Sequence, residues 1–253
     1  MSEWRDYDAD WDWSHSYDAV VRLTGAVAGE PNDFSGSYGY GTDGLGNRRT
    51  MTVTGLGTVD LNYNAGTHQL VEAEVDSQVV NEWSYDAEGR VVQCGDHEFI
   101  YEAHRGLLRY FEDNDTEESW AYDYDYRNLR VRKVLPDMSE VHYHYDMEGR
   151  LIAETQAPYD PYKEYLWLGH RPIAMIASEE WIPNDSFTGE GGMTDFEVYS
   201  IHTDHLGTPI AMTDESGTVV WRHRFDPFGN KLELDEDADE DQEDVILNLR
   251  FPG

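Results

Sequence analysis

The sequence predicts an all-β protein built of repeated antiparallel β-hairpins that form a curved or spiralling sheet. Three observations carry that expectation. A tyrosine is followed again and again by an acidic or small turn residue, then glycine or asparagine, then a cationic or polar residue and an aliphatic run. The clearest copies read YDAEGRVV from Tyr85 and YDMEGRLI from Tyr145. Looser copies begin at Tyr17, Tyr40, Tyr63, Tyr101 and Tyr124, so the intervals are 23, 23, 22, 16, 23 and 21 residues. A period of that length is the mark of a stacked repeat architecture. Between the turns the chain alternates, as in Glu140-Val141-His142-Tyr143-His144-Tyr145, with the period of a half-buried strand.

Each unit follows from turn chemistry. Aspartate bonds to its own backbone two residues on, and glycine supplies the positive φ of a tight reversal, so reversals are expected at Glu88-Gly89 and Glu148-Gly149. The tyrosine before the turn and the aliphatic pair after it belong to two strands of one hairpin. A single hairpin cannot bury its apolar face alone, so stability has to come from the neighbouring units.

Beyond the repeats the chain changes character. From Tyr162 it reads YKEYLWLGHRPIAMI, then YSIHTDHLGTPIAMTDESGTVVWRHRFDPFGN from Tyr199 to Asn230, and NLRFPG from Asn248. Seven spaced turns followed by these ordered segments resemble the RHS, or YD-repeat, family and its RHS-repeat-associated core, over nearly the whole chain. The organisation expected is a YD-repeat hairpin array over residues 1–160 and an RHS-associated core segment over 161–253. Surface-loop insertions are expected near 178–198, rich in Gly, Ser, Asn and acid, and near the acidic block at 233–244.

The resemblance implies a job as well as a fold. Relatives of this kind make hollow β-shells, which in polymorphic toxins enclose a C-terminal toxin and in animal proteins serve adhesion. The expected function is a non-catalytic shell or scaffold fragment, partnered by a C-terminal toxin or an adjacent RHS segment. The alternative is a module binding a cell-surface glycan or protein. The family's self-cleavage segment and toxin lie downstream of the core, and the sequence ending at Gly253 shows neither, so no catalytic residue, cofactor or metal ligand is expected.

Three stretches invite a different chemistry and fail on residue grounds. His202-Thr203-Asp204-His205 offers two histidines three apart, but the surrounding Val198-Tyr199-Ser200-Ile201 and Gly207-Thr208-Pro209 read as strand and turn, which would point the two rings to opposite faces. Asp226-Pro227 lies in the turn RFDPFG and reads as structure, not as a cleavage site. Asp235, Asp237, Asp239 and Asp241 alternate like oxygen ligands for Ca²⁺. The sixth position counted from Asp235 is Glu240, where an EF-hand loop requires glycine.

Composition bounds the rest. The formal charge is −34, from 52 acidic and 18 basic residues, and the lysines are Lys133, Lys163 and Lys231 alone. Such a balance excludes phosphate-backbone recognition, and hence nucleic-acid partners. Abundant acid with scarce lysine leads to the expectation of a halophilic source, in which salt screens self-repulsion, the competing reading being an acidic protein from an ordinary organism. Seventeen tyrosines and eight tryptophans point to a core more aromatic than leucine-rich. Cys94 is the one cysteine, so packing and pairing must replace disulfide staples. The N-terminus lacks the pattern of a Sec signal and no run is long enough to span a membrane, so cytoplasmic synthesis is expected, with the final location left open, export by a specialised secretion system included.

Overall fold

The computed structural model describes residues 13–28, 34–41, 44–53, 57–157, 160–182, 192–204, 206–222, 224–225, 227–228 and 231–232, with Leu247 and Leu249. Among the described residues the regular structure is all strand, and no helix is long and apolar enough to cross a membrane. The chain divides into two compact units, residues 1–100 with 111–118, and residues 101–110 with 119–253.

The first unit is a meander. Its strands are β1 (Trp13–Tyr17), β2 (Leu23–Ala28), β3 (Phe34–Tyr40), β4 (Arg48–Val53), β5 (Gly57–Tyr63), β6 (Leu70–Val75), β7 (Gln78–Tyr85), β8 (Val91–Cys94) and β9 (His97–Tyr101). Each pairs antiparallel with the next, and the register puts Ala26 opposite Gly36, Gly36 opposite Val53 and Leu61 opposite Ala73. Directly opposed residues share a face. The buried face therefore collects Ala26, Ala28, Phe34, Tyr38, Val53, Leu61 and Ala73, while intervening residues such as Ser35 and Ser37 remain exposed. Gly36 is required by close approach, because a Cβ there would lie 2.9 Å from Cζ of Tyr38, whose ring covers it.

The line between the units passes through β10 (Leu108–Asp113). The second unit continues with β11 (Glu118–Tyr124), β12 (Arg130–Val134), β13 (Glu140–Tyr145), β14 (Leu151–Ala157), β15 (Asp160–Leu168), β16 (Arg171–Ile182), β17 (Gly192–Thr203), β18 (Pro209–Thr213) and β19 (Val219–Arg222). Successive strands from β11 to β19 again pair antiparallel. A two-residue hairpin, β20 (Arg224–Phe225) with β21 (Lys231–Leu232), follows. Tyr165 faces Met175, Met175 faces Tyr199 and Ile201 faces Met212, and these five residues with Leu247 form a buried cluster. Trp167, Trp221 and Leu151 pack against it, so this cluster is aromatic, as the composition foretold, and also carries two buried methionines, which it did not.

The loop expected over 178–198 is corrected. β16 runs on to Ile182 and β17 starts at Gly192, with Glu180 opposite Thr194, Trp181 opposite Met193 and Ile182 opposite Gly192. Ladder hydrogen bonds along a long hairpin satisfy backbone groups whatever the polarity of the side chains, and polarity was the basis of the loop reading. The connection over 183–191 and the acidic block at 233–244 lie outside the described residues.

Candidate functional site

The recurring chemistry of this chain is its turns. At Asp86 the backbone N–H donates to the Arg90 carbonyl at 3.0 Å, while Gly89 N–H donates to the Asp86 carbonyl at 3.1 Å. One carboxylate oxygen of Asp86 accepts the backbone N–H of Glu88 (3.0 Å) and of Arg90 (2.9 Å), and the other accepts Arg90 Nε at 2.6 Å. Asp146 repeats the bonds to Arg150 N (2.9 Å) and Arg150 Nε (2.6 Å), and Asp18 does the same for Arg22 at 2.9 and 2.6 Å. Asp125, Asp204 and Asp214 keep the two backbone bonds without an arginine four residues on.

The electrostatic consequence is uniform. Partial loss of hydration acts against ionisation of Asp86 and Asp146, yet the backbone N–H and guanidinium of Arg90 and Arg150 outweigh it and hold both carboxyls below their ordinary value. At Asp18 the backbone N–H of Arg22 is the largest influence in the same direction. The residue three after the aspartate lies at positive φ in each case: Gly89 at 82°, Gly149 at 85°, Gly207 at 91°, Gly217 at 87°, Asn128 at 67° and Val21 at 65°.

The turns are also tied to one another, in both directions along the chain. The aromatic residue entering a turn donates back to the carbonyl that begins the strand leaving an earlier turn. Tyr40 Oη reaches Leu23 O (2.8 Å), Tyr85 Oη reaches Leu70 O (2.7 Å) and Tyr145 Oη reaches Arg130 O (2.9 Å). Trp167 Nε1 makes the corresponding bond to Leu151 O at 2.8 Å, so the core segment keeps the repeat's geometry with an indole in place of a phenol. In the second unit an arginine reaches forward: Arg105 Nη1 to Asp125 O (2.8 Å), Arg127 Nη1 to Asp146 O (3.1 Å) and Arg150 Nη1 to Gly169 O (2.6 Å). The turn at Asp146 is thereby held by its own carboxylate, by Arg127 from the turn before it, and through Tyr145 and Arg150 to its neighbours on both sides.

The two faces of β10 to β15 carry different charge patterns. On one, Asp123, Arg132 and His142 stand directly across from one another. Arg109 pairs with Asp123, Arg132 with Asp123 (2.8 Å) and with Glu140, and His142 Nε2 lies 3.2 Å from Glu140, which makes an alternating ladder. On the other, Tyr122 faces Lys133, Tyr143 faces Glu154 and Glu154 faces Lys163. Glu154 is 3% exposed and accepts the Tyr165 hydroxyl at 2.7 Å. Burial lowers the Lys163 ammonium, against the opposing pull of Glu154, and lowers Lys133, with help from Arg130. Burial also pushes the Tyr143 hydroxyl up to about 12. Two of the three lysines therefore sit half-buried on the face of the one buried carboxylate described. Lysine scarcity was the only sequence signal for this cluster, and it does not say which strands meet.

The stretches that invited chemistry fall elsewhere. His202 is exposed, with Nε2 3.0 Å from Thr213 Oγ1, and Asp204 caps a turn through Leu206 and Thr208 N–H. His205, Asp226 and Asp235 to Asp241 lie outside the described residues. Among the described residues, no three His, Cys, Asp or Glu side chains converge as metal ligands.

The Teneurin YD-shell family profile matches residues 2–159, and the RHS protein profile matches residues 198–235. The tRNA3(Ser)-specific nuclease WapA of Bacillus spizizenii and the tRNA nuclease WapA of Bacillus subtilis are each 26% identical over 195 residues, covering 76% of this chain and 7% of theirs. The double-stranded DNA deaminase toxin A of Burkholderia cenocepacia is 20% identical, covering 75% of this chain and 17% of its own. The chain thus spans a small part of the curated relatives it matches. Among solved structures, the Photorhabdus luminescens Tc holotoxin pore aligns with a TM-score of 0.40 at 10% identity, over 86% of this chain and 15% of that one. The TcdB2-TccC3 complex without its hypervariable C-terminal region gives 0.39 at 10% identity, over 86% and 16%.

Proposed function

Because the chain belongs to the Teneurin YD-shell family, we propose that it is a stretch of non-catalytic shell wall in an RHS-type toxin system and helps to enclose a C-terminal toxin. The observation that carries this reading is the two-way tie between turns, in which Tyr145 bonds back to Arg130 O and Arg150 bonds forward to Gly169 O. Bonds that need both neighbours suit a wall, whose strength lies in continuity, better than a reaction centre, whose groups converge on one point. The nuclease and deaminase names of the relatives fit the same reading, since this chain matches only 7% and 17% of their lengths.

The test uses the full reading frame that contains this chain, expressed intact and with Arg127→Ala/Arg150→Ala. Limited proteolysis followed by intact-mass measurement reads whether a C-terminal cargo is protected. Protection in the parent and exposure in the variant supports the proposal. Equal cleavage of the cargo in both, or a frame without cargo, overturns it.

A further inference from the structure

We infer that the first unit carries a binding groove over β7 for a short, arginine-bearing extended peptide segment of a partner protein. The groove has a volume of about 580 Å³ and is lined by Glu72, Val80, Glu82, Ser84, Gln93 and Asp96, among others. That volume is in the range of small-ligand sites, roughly 300–1,000 Å³. Glu82 and Ser84 are two apart on β7 and so share a face, and the bulge at Val80 brings Val79 opposite Glu74, on the side of Glu72. The register sets Glu72 directly across from Glu82, and Gln93 directly across from Ser84.

Two carboxylates opposed across a strand pair repel, and such a pair weakens a sheet unless a cation lies between them. None of the groove's lining residues is Lys, Arg or His. On the far side of Glu72 stands Asn62, whose amide donates to Glu74 at 2.8 Å. Beside the carboxylates, Val79 is 50% exposed and Val80 58% exposed, an apolar step open to solvent. Paired acid next to open apolar surface is the complement of a segment that alternates a cation with an aliphatic residue. A guanidinium suits this site better than an ammonium, because its planar fork can donate to two carboxylates at once. Trp83 lies along the groove between Glu82 and Ser84, and because the chain holds eight tryptophans its fluorescence is read as the difference between the parent and Trp83→Phe.

The experiment titrates acetyl-Gly-Arg-Val-Arg-Gly-amide into the chain at 0.15 M NaCl, where the Debye length of about 8 Å removes most long-range attraction. Binding is expected to saturate at one peptide per chain. Glu72→Gln/Glu82→Gln is expected to weaken it at least tenfold. Asp115→Asn/Glu215→Gln, which removes the same charge from exposed turns, is expected to change it less than twofold. Replacing both arginines of the peptide by lysine is expected to weaken binding. Circular dichroism verifies that each variant is folded. Equal weakening by the two double variants, or no saturable binding by the parent, overturns the inference.

Discussion

The Tyr145 hydroxyl donates to the Arg130 carbonyl at 2.9 Å, the same relation that Tyr85 has to Leu70 at 2.7 Å. In both, a side chain at the entrance to one turn satisfies the first carbonyl after another. The bond gives Tyr40, Tyr85 and Tyr145 a use for the hydroxyl that phenylalanine lacks.

Tyr145→Phe and Tyr85→Phe are therefore each expected to lower stability by about 0.5–1.5 kcal/mol, the usual net worth of one hydrogen bond. Tyr145 should lie at the lower end, because its bond is exposed to water. Urea unfolding curves measure this, and an unchanged midpoint in both variants contradicts the role of the hydroxyl.

Val21 occupies the turn position that Gly89 fills in a clearer copy, with φ of 65° against 82°. A left-handed conformation costs a residue with a Cβ about 1–2 kcal/mol, and more when it is β-branched, while glycine loses roughly 0.5–1 kcal/mol in chain entropy. Val21→Gly is expected to stabilise the chain by up to about 1 kcal/mol. Gly89→Val is expected to destabilise it by about 1–2 kcal/mol through backbone strain, since the nearest atom to an added Cβ is Gln69 Nε2 at 3.6 Å. Thermal melts of the two variants should move in opposite directions.

Acid should loosen the turns in a defined order of sign. The folded-state carboxyls of Asp86, Asp125 and Asp146 are held below their ordinary value: hydration loss opposes the shift, but backbone N–H bonds and arginine outweigh it. A carboxyl depressed in the folded state contributes stability above its unfolded pKa of about 3.9, and loses it as pH falls through the lower folded value. Asp146→Asn is expected to be less stable than the parent at pH 7, with the gap closing below about pH 4. Comparing the two chains cancels the general relief of charge repulsion that acid brings to both.

Much of this architecture was legible because its causes are local. Asp86-x-x-Gly89 specifies a turn from four residues, and the alternation from Glu140 to Tyr145 specifies the strand after another. The Glu154 cluster was not legible, since Glu154 and Lys163 meet only through a register between two strands and Tyr165 reaches Glu154 from two residues further on. The error at 178–198 has the reverse origin: polar composition suggested a loop, while the backbone ladder between β16 and β17 continued regardless.

Glu154 sets up a fourth prediction. Glu154 is buried and stands across from the half-buried Lys163. Removing one member of a fully buried charge pair costs about 3–5 kcal/mol, an upper bound here, whereas replacing both by apolar groups is often neutral or stabilising. Glu154→Ala is expected to destabilise the chain strongly. Glu154→Leu/Lys163→Met is expected to recover most of the loss, as measured by denaturant midpoints. A double variant as unstable as Glu154→Ala would show that the pair acts through more than its charge.

Salt should stabilise the folded chain. Fifty-two carboxyl groups against eighteen cations give a formal charge of −34, and this charge is packed more closely in the folded state than in the expanded chain. Raising ionic strength from 0.01 M to 1 M shortens the Debye length from about 30 Å to about 3 Å, so long-range repulsion is removed first. Short pairs such as Asp146 with Arg150, at 2.6 Å, lie within that range and are weakened less. Repulsion falls faster than attraction, and with folding margins of about 5–15 kcal/mol the difference is large enough to move the midpoint. Thermal unfolding in dilute buffer and in 1 M KCl is expected to give the higher midpoint in KCl. A lower or unchanged midpoint would mean that local ion pairs, not net repulsion, govern the electrostatics of this chain.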